Sequence, residues 1–461
     1  MHHPSHRRAP RKTLALSLLS ALAALSATNA QALNLEAAAE TSSRTTTNAR
    51  RFSNDESADT LITPAVMFAA VHEGPGLNVE TGYTLRQRFF VRDFFDDETI
   101  LTGGTIIDWE AVPERVELGL RQSRRETTNQ SFGRGTQVDR QITNSTELRS
   151  ALKFRPRETD ELRLRFDQTY LDDENFDIDN TRSIATVSYR SRLSASTSIL
   201  LESSQGEIDF DASAVADIDT ETHRITLRRS GERYDLSAMG GYSNFDIDEG
   251  SSAKGAIYNV TTTLRPIGGR EFEFAVRRTI SDRAGRVTSA EEAIDNPTDI
   301  PFANSDLTDV FTVDSFSATW RELIGPNLFE ASVGRNETDF ENFNRDQVTD
   351  TVDFSVIRAI RPAIEGFALL SYQRSNYDDF DADFDQWFFD VGATYRVNRR
   401  LQVSSQLFHL RRNSNSALAG DFNDTGIEFS ARYTFLPGEE LLEARQQRQR
   451  SRQRQRRRAQ P

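Results

Sequence analysis

The chain has 461 residues, 37% of them hydrophobic and 27% charged, with a formal net charge of −14 and a mean hydropathy of −0.59. It has no cysteine, which excludes disulfides, thiolate metal sites and a cysteine-borne lipid anchor. No segment reaches the roughly 20 consecutive apolar residues that a spanning helix needs, so a helical membrane protein is excluded too.

The first 32 residues have the layout of a secretory signal. Arg7, Arg8, Arg11 and Lys12 precede the apolar stretch Thr13 to Leu25, and Ala30-Gln31-Ala32 offers a small-residue cleavage site. Export is therefore expected, and loss of the four basic residues takes the mature charge to −18.

From Leu33 onward the pattern has period two. In Glu161 to Thr169, Leu162, Leu164 and Phe166 alternate with Glu161, Arg163, Arg165 and Asp167. In Trp387 to Tyr395 the apolar set is Trp387, Phe389, Val391, Ala393 and Tyr395; in Ile427 to Phe435 it is Ile427, Phe429, Ala431, Tyr433 and Phe435. A disordered chain of this low hydropathy would not keep such order. A transmembrane β-barrel would, because only alternate residues meet lipid while lumen and loops stay polar. The fold class expected over residues 33–436 is an all-β, antiparallel, up-and-down barrel of about 20 strands, the count being good to two. A weak first strand falls near 33–41, the next starts at Leu61 and the last lies near 424–435.

Connections support that count by alternating. Short turn sequences stand at Glu73 to Gly76, Val112 to Glu114, Ser230 to Glu232, Pro266 to Gly269 and Val397 to Arg399. Longer acidic segments fall between them, from Asp93 to Glu98 through Arg283 to Thr308 and on to Asp378 to Asp385. The turns are expected to be periplasmic and the loops extracellular, with both termini in the periplasm. Twenty strands at a spacing of about 4.8 Å and a tilt near 40° close into a barrel roughly 40 Å across.

The run from Asp378 to Arg399, an Asp-rich loop, an aromatic strand and an x-Asn-Arg-x turn, resembles the beta-barrel porin 2 group. It is also similar to outer-membrane proteins that accompany exopolysaccharide (PEP-CTERM-type) systems. The likeness covers most of Leu33 to Phe435 and is one of style, without an invariant motif. It implies an outer-membrane barrel of Gram-negative bacteria with polysaccharide export as a candidate role, and it fixes no substrate. Tyr433 and Phe435 are similar to the terminal aromatic signal read by the barrel-assembly machinery, yet an Arg/Gln-rich tail follows over residues 437–461. The tail reads either as a solvated disordered extension or as a periplasmic arm for an anionic partner or membrane surface.

Parity with the lipid-facing residues turns Arg121, Arg163, Arg165, Arg224, Arg228, Arg277 and Arg432 inward, together with Glu117, Glu161, Asp167, Glu271, Glu273, Asp390 and Glu428. Two readings are open: structural ion pairing, or a cationic path for acidic polymers. Asp172, Asp173, Glu174, Asp378, Asp379, Asp381 and Asp383 are expected to form a negative outer mouth, which could share divalent ions with lipopolysaccharide. No EF-hand spacing appears, so no dedicated metal site is expected. His72, His223 and His409 fall on separate strands, and no serine elbow, phosphate loop or zinc spacing appears. No enzymatic activity, cofactor or nucleic-acid partner is expected. Trp109, Trp320 and Trp387 read as interface anchors. Asp59 to Ile62 faintly resembles the energy-coupling box of siderophore transporters, but no plug domain fits before the barrel. The function expected is a passive or export channel; the alternative is a non-conducting structural or surface-interaction barrel, with Arg283 to Thr308 as the segment best suited to close it.

Overall fold

A computed structural model describes residues 33–51, 56–128, 140–173, 179–211, 216–248, 252–266, 268–282, 310–341, 346–378, 382–414 and 420–436. These residues form twenty strands and no helix: β1 (Leu33–Thr46), β2 (Asp59–Gly74), β3 (Leu77–Phe90), β4 (Glu98–Val112), β5 (Val116–Thr128), β6 (Arg140–Arg157), β7 (Asp160–Asp173), β8 (Asn180–Arg192), β9 (Thr197–Phe210) and β10 (Ile218–Ser230). The second half comprises β11 (Tyr234–Ile247), β12 (Ser252–Leu264), β13 (Arg270–Asp282), β14 (Val310–Ile324), β15 (Asn327–Phe340), β16 (Gln347–Arg361), β17 (Ile364–Tyr377), β18 (Phe384–Arg396), β19 (Leu401–Ser414) and β20 (Phe422–Leu436).

Each strand pairs antiparallel with its neighbours in sequence, and β1 pairs with β20 from Thr46 opposite Gly426 to Ala38 opposite Thr434. The sheet is therefore a closed barrel without free edges, which is what satisfies every strand's backbone in lipid. All twenty expected strands are present, mostly a few residues longer than the apolar pattern alone marked. The signal segment 1–32 and the tail 437–461 lie outside the described residues.

Turns leading from even to odd strands are tight. Pro75-Gly76 joins β2 to β3 with proline first and Gly76 at φ 83°, the positive angle that a type II turn demands of its third residue. Connections from odd to even strands are longer, reaching 283–309 between β13 and β14. Both ends of the barrel chain lie on the tight-turn side.

The outer wall carries a belt of exposed apolar side chains, among them Val66, Leu85, Leu148, Val187, Ile225, Val333, Leu407 and Phe429. Trp109 and Trp320 sit near the tight-turn edge of this belt. Trp387 sits toward the loop edge against Tyr372, ring centroids 4.5 Å apart, and the Tyr372 hydroxyl donates to Asp385 at 2.8 Å. Tyr433 and Phe435 are exposed on the closing strand with their rings in edge contact at 5.1 Å. Aromatic rings at both edges of an apolar band suit a membrane-spanning wall.

Candidate functional site: the lumen and its outer mouth

Opposite the belt, the strands from β5 to β10 turn a ladder of charges inward. Lys153 and Arg163 converge on Glu117, the latter at 2.6 Å. Arg121 lies 3.3 Å from Asp108 and 3.7 Å from Glu147, while Arg149 bridges Glu147 at 2.5 Å and Asp167 at 2.8 Å. Arg165 reaches the other oxygen of Asp167 at 2.7 Å. Arg224 grips Glu202 on β9 with two bonds of 3.1 Å, and Arg432 closes the ring at the β20–β1 seam by meeting Glu36 at 2.9 Å. Arg228 and Arg277 form no ion pair among the described residues. Five of the seven arginines singled out by parity are thus paired to carboxylates of the same or nearby strands. Arg224 makes the planar, two-bond contact that the guanidinium fork forms best.

At the loop end two strand pairs leave the wall, and there parity fails. Pairing of β4 with β5 stops at Gly103 opposite Arg124, while β5 continues alongside β6 to Thr128. Gly103 has φ 145°, and a Cβ on it would stand 2.1 Å from the Gly82 carbonyl oxygen, so the departure point admits only glycine. Beyond it Glu126, outward by alternation, has swung onto the inner face of β3. It accepts both ends of the Arg88 guanidinium at 2.7 and 2.8 Å and an Arg140 bond at 3.2 Å, while Arg88 also meets Glu98 at 2.7 Å.

The second departure carries the longest loop. Pairing of β12 with β13 stops at Tyr258 opposite Arg278, but β13 stays paired with β14 to Asp282 opposite Val310. Ile280 and Val310 join an apolar cluster with inner-face residues of β9 to β12, including Phe210, Ile218, Phe245 and Ile257. Asp282 binds Arg182 of β8 through both oxygens. On a circular section of this size those two strands would stand roughly 28 Å apart. The hairpin base therefore lies folded across one quadrant of the mouth. The segment Arg283 to Thr308 itself lies outside the described residues.

The β1–β2 connection, residues 47–58, adds a third inward element. Arg51, at φ 54°, lies 3.5 Å from Asp424 and over the Phe422 ring. Burial lowers its pKa to about 10, against the opposing pull of Asp424.

Acidic loop residues have a structural role that was not read from the sequence. Asp97, Asp217, Asp346, Asp383 and Asp421 each accept the backbone N–H of the last residue of the preceding strand: Phe90 at 3.1 Å, Phe210 at 2.9 Å, Phe340 at 2.9 Å, Tyr377 at 2.7 Å, and Ser414. The visible signal is an Asp six or seven positions after a strand's final residue, here an aromatic in four of the five cases. Among the acidic residues expected at the mouth, Asp383 is thus engaged in closing its loop, Asp172 accepts from Asn144 at 3.2 Å, and Asp378 is exposed. Glu174, Asp379, Asp381 and the Asp173 side chain lie outside what is described. The three histidines stay apart on β2, β10 and β19; His223 contacts Ser203 and Glu221, each at 3.0 Å, and His409 contacts Thr425 at 2.7 Å.

A family model described as "Putative beta-barrel porin 2" matches residues 336–435. No curated protein matches the chain. Among solved structures, a loop-deletion mutant of OmpT, an outer membrane protein of Vibrio cholerae, is 11% identical with a TM-score of 0.36, over 88% of this chain and 100% of that one. The siderophore receptor PirA of Pseudomonas aeruginosa is 9% identical with a TM-score of 0.46, over 89% of this chain and 81% of its own. The FrpB iron transporter of Neisseria meningitidis is 9% identical with a TM-score of 0.47, over 87% and 82%.

Proposed function

We propose that the chain is a porin-like channel of the Gram-negative outer membrane, exported by its N-terminal signal and passing polar solutes by passive diffusion. The observation that carries this reading is a closed twenty-strand wall with an apolar exterior and a hydrogen-bonded, ion-paired interior. Polar side chains anchored flat along the wall leave water in the lumen of a barrel roughly 40 Å across its backbone before the mouth narrows. On this reading the tight turns and both termini are periplasmic, lipopolysaccharide surrounds the loop end, and the barrel-assembly machinery inserts the chain through Tyr433 and Phe435. Polysaccharide export is the more specialised form of the same role.

A second reading, a structural barrel shut by its own loops, is favoured by one feature, the apolar packing of the β13–β14 base inside the mouth. Liposome swelling with sugars of increasing size separates the two. Swelling with small sugars and a sharp size limit supports the channel; no swelling with any solute supports the shut barrel.

A further inference from the structure

The lumen has two unlike walls. From β5 to β10 about half of the inward positions are charged; from β15 to β19 about a fifth are charged and about half are Ser, Thr, Gln, Asn or Gly, with contacts such as Thr349 to Ser375 at 3.2 Å. Hydroxyls also hold the one acid of β16 at mid-height, Asp353, which accepts from Ser332 at 3.1 Å and Ser371 at 2.6 Å.

An apolar stripe climbs through this neutral wall. Leu328 faces Ile357, Ile357 faces Phe367, and Leu369 and Phe388 follow on the next steps until Phe388 faces Leu410. All of these lie on the face opposite Val352, Leu370, Phe389 and Leu407, so they look into the lumen. Phe367 rests against Gly392, where a Cβ would stand 2.7 Å from the ring edge; the absent side chain lets the ring lie along the wall instead of projecting. Leu328 is one residue above the start of β15 and Leu410 nine above the start of β19, so the stripe climbs eight residues, roughly 21 Å at a tilt near 40°. The stripe therefore spans most of the height of the apolar belt, with one diagonal step from Leu369 to Phe388, whose direct partners are Asp390 and Ser371.

A flat apolar strip bordered by hydroxyl and amide groups matches a solute with apolar C–H faces and a rim of hydroxyls. It does not match an acidic polymer. Carboxylates entering here would meet Asp353 and Asp390, and the inward cation beside them, Arg44, 4.0 Å over the Phe408 ring, is already shared by Asp390 and Glu428. On the channel reading above, on which this inference rests, we propose that the β15–β19 wall is a track for a neutral, hydroxyl-rich saccharide chain.

The test uses the mature protein in planar bilayers and, separately, in detergent solution. Maltohexaose and oligogalacturonate serve as neutral and acidic probes. Ion current should be blocked by maltohexaose more tightly than by maltose, and at least tenfold more tightly than by oligogalacturonate. Phe367→Ala and Phe388→Ala should each weaken the block about tenfold, Phe388→Leu should weaken it less, and Arg228→Gln on the charged wall should leave it unchanged. Calorimetric binding in detergent reads the track independently of conduction. Binding that is lost in the Phe variants, without any current, would retain the track and remove the channel. Current without maltohexaose binding, or block unaffected in correctly folded Phe variants, would overturn the track and leave the channel standing.

Discussion

Release of the β13–β14 base should widen the mouth, and the structure sets how much must be cut. Asp282 and Arg182 are nearly fully buried, with side-chain exposures of 6% and 8%. Replacing Asp282 by Asn leaves a buried guanidinium without its carboxylate, a loss of about 3–5 kcal/mol. Ile280 and Val310 remain packed on the inner wall and contribute about 1.5–3 kcal/mol each. The apolar remainder is thus of the same size as the lost ion pair. At about 1.4 kcal/mol per tenfold, a remainder near 3 kcal/mol still keeps the hairpin folded in more than nine-tenths of the time. Asp282→Asn alone should give brief excursions to a higher single-channel conductance. Adding Ile280→Ser removes one of the two apolar anchors and buries an unpartnered hydroxyl, and should lengthen these excursions. Because the chain has no cysteine of its own, the pair Arg182→Cys with Asp282→Cys can be joined by a reductant-cleavable thiol crosslinker, the reach of the arginine being too long for a direct disulfide, and conductance should fall and recover accordingly. A double variant with wild-type conductance, in a barrel shown to be folded by its heat-modifiable gel mobility, would refute the argument that this hairpin narrows the path.

Three further outcomes follow from the same geometry. Glu126→Gln should weaken the Arg88 grip on the β5–β6 base and speed proteolysis within the adjoining loop, with little change in overall melting. Tyr433→Ala with Phe435→Ala should reduce membrane insertion while deletion of residues 437–461 should not, as measured by surface labelling in cells; the reverse pattern would contradict the role given to the closing strand. Asp383→Asn with Asp346→Asn should leave the barrel intact but loosen the loops they close, read as faster amide exchange at Tyr377 and Phe340, since an amide oxygen accepts more weakly than a carboxylate.

Most of the barrel could be read from the chain because lipid enforces one rule at every strand. Wherever a strand lies in the wall, alternation fixes which side chains face out, as at Leu162, Leu164 and Phe166, and the opposite set then meets its partners inside. The rule lapsed where strands leave the wall. Glu126, Ile280 and Asp282 have outward parity and inward positions, because the hairpins that carry them bend over the mouth and present their outer faces to the inner wall. Period-two pattern holds no record of such a bend. Gly103 was the one local trace of it, and a lone glycine in a strand reads equally as a bulge. The loop-closing aspartates were visible as acidic residues but not as hydrogen-bond acceptors, since their partner N–H groups belong to the backbone. The ion pairs of the lumen were legible as a mixture of signs; which arginines form no ion pair among the described residues, Arg228 and Arg277, depends on registers between strands that no single strand's sequence specifies.

Whether the closed barrel encloses a water-filled path is decided by the conductance of the purified mature protein in planar bilayers. Stepwise, ohmic current is predicted. Reversal potentials in asymmetric salt should show a weak cation preference that fades as ionic strength rises, because exposed mouth carboxylates are screened over about 8 Å at physiological salt. Absence of any current step, in the wild type and equally in the variant with both Asp282 and Ile280 replaced, would contradict a water-filled path and leave the shut structural barrel.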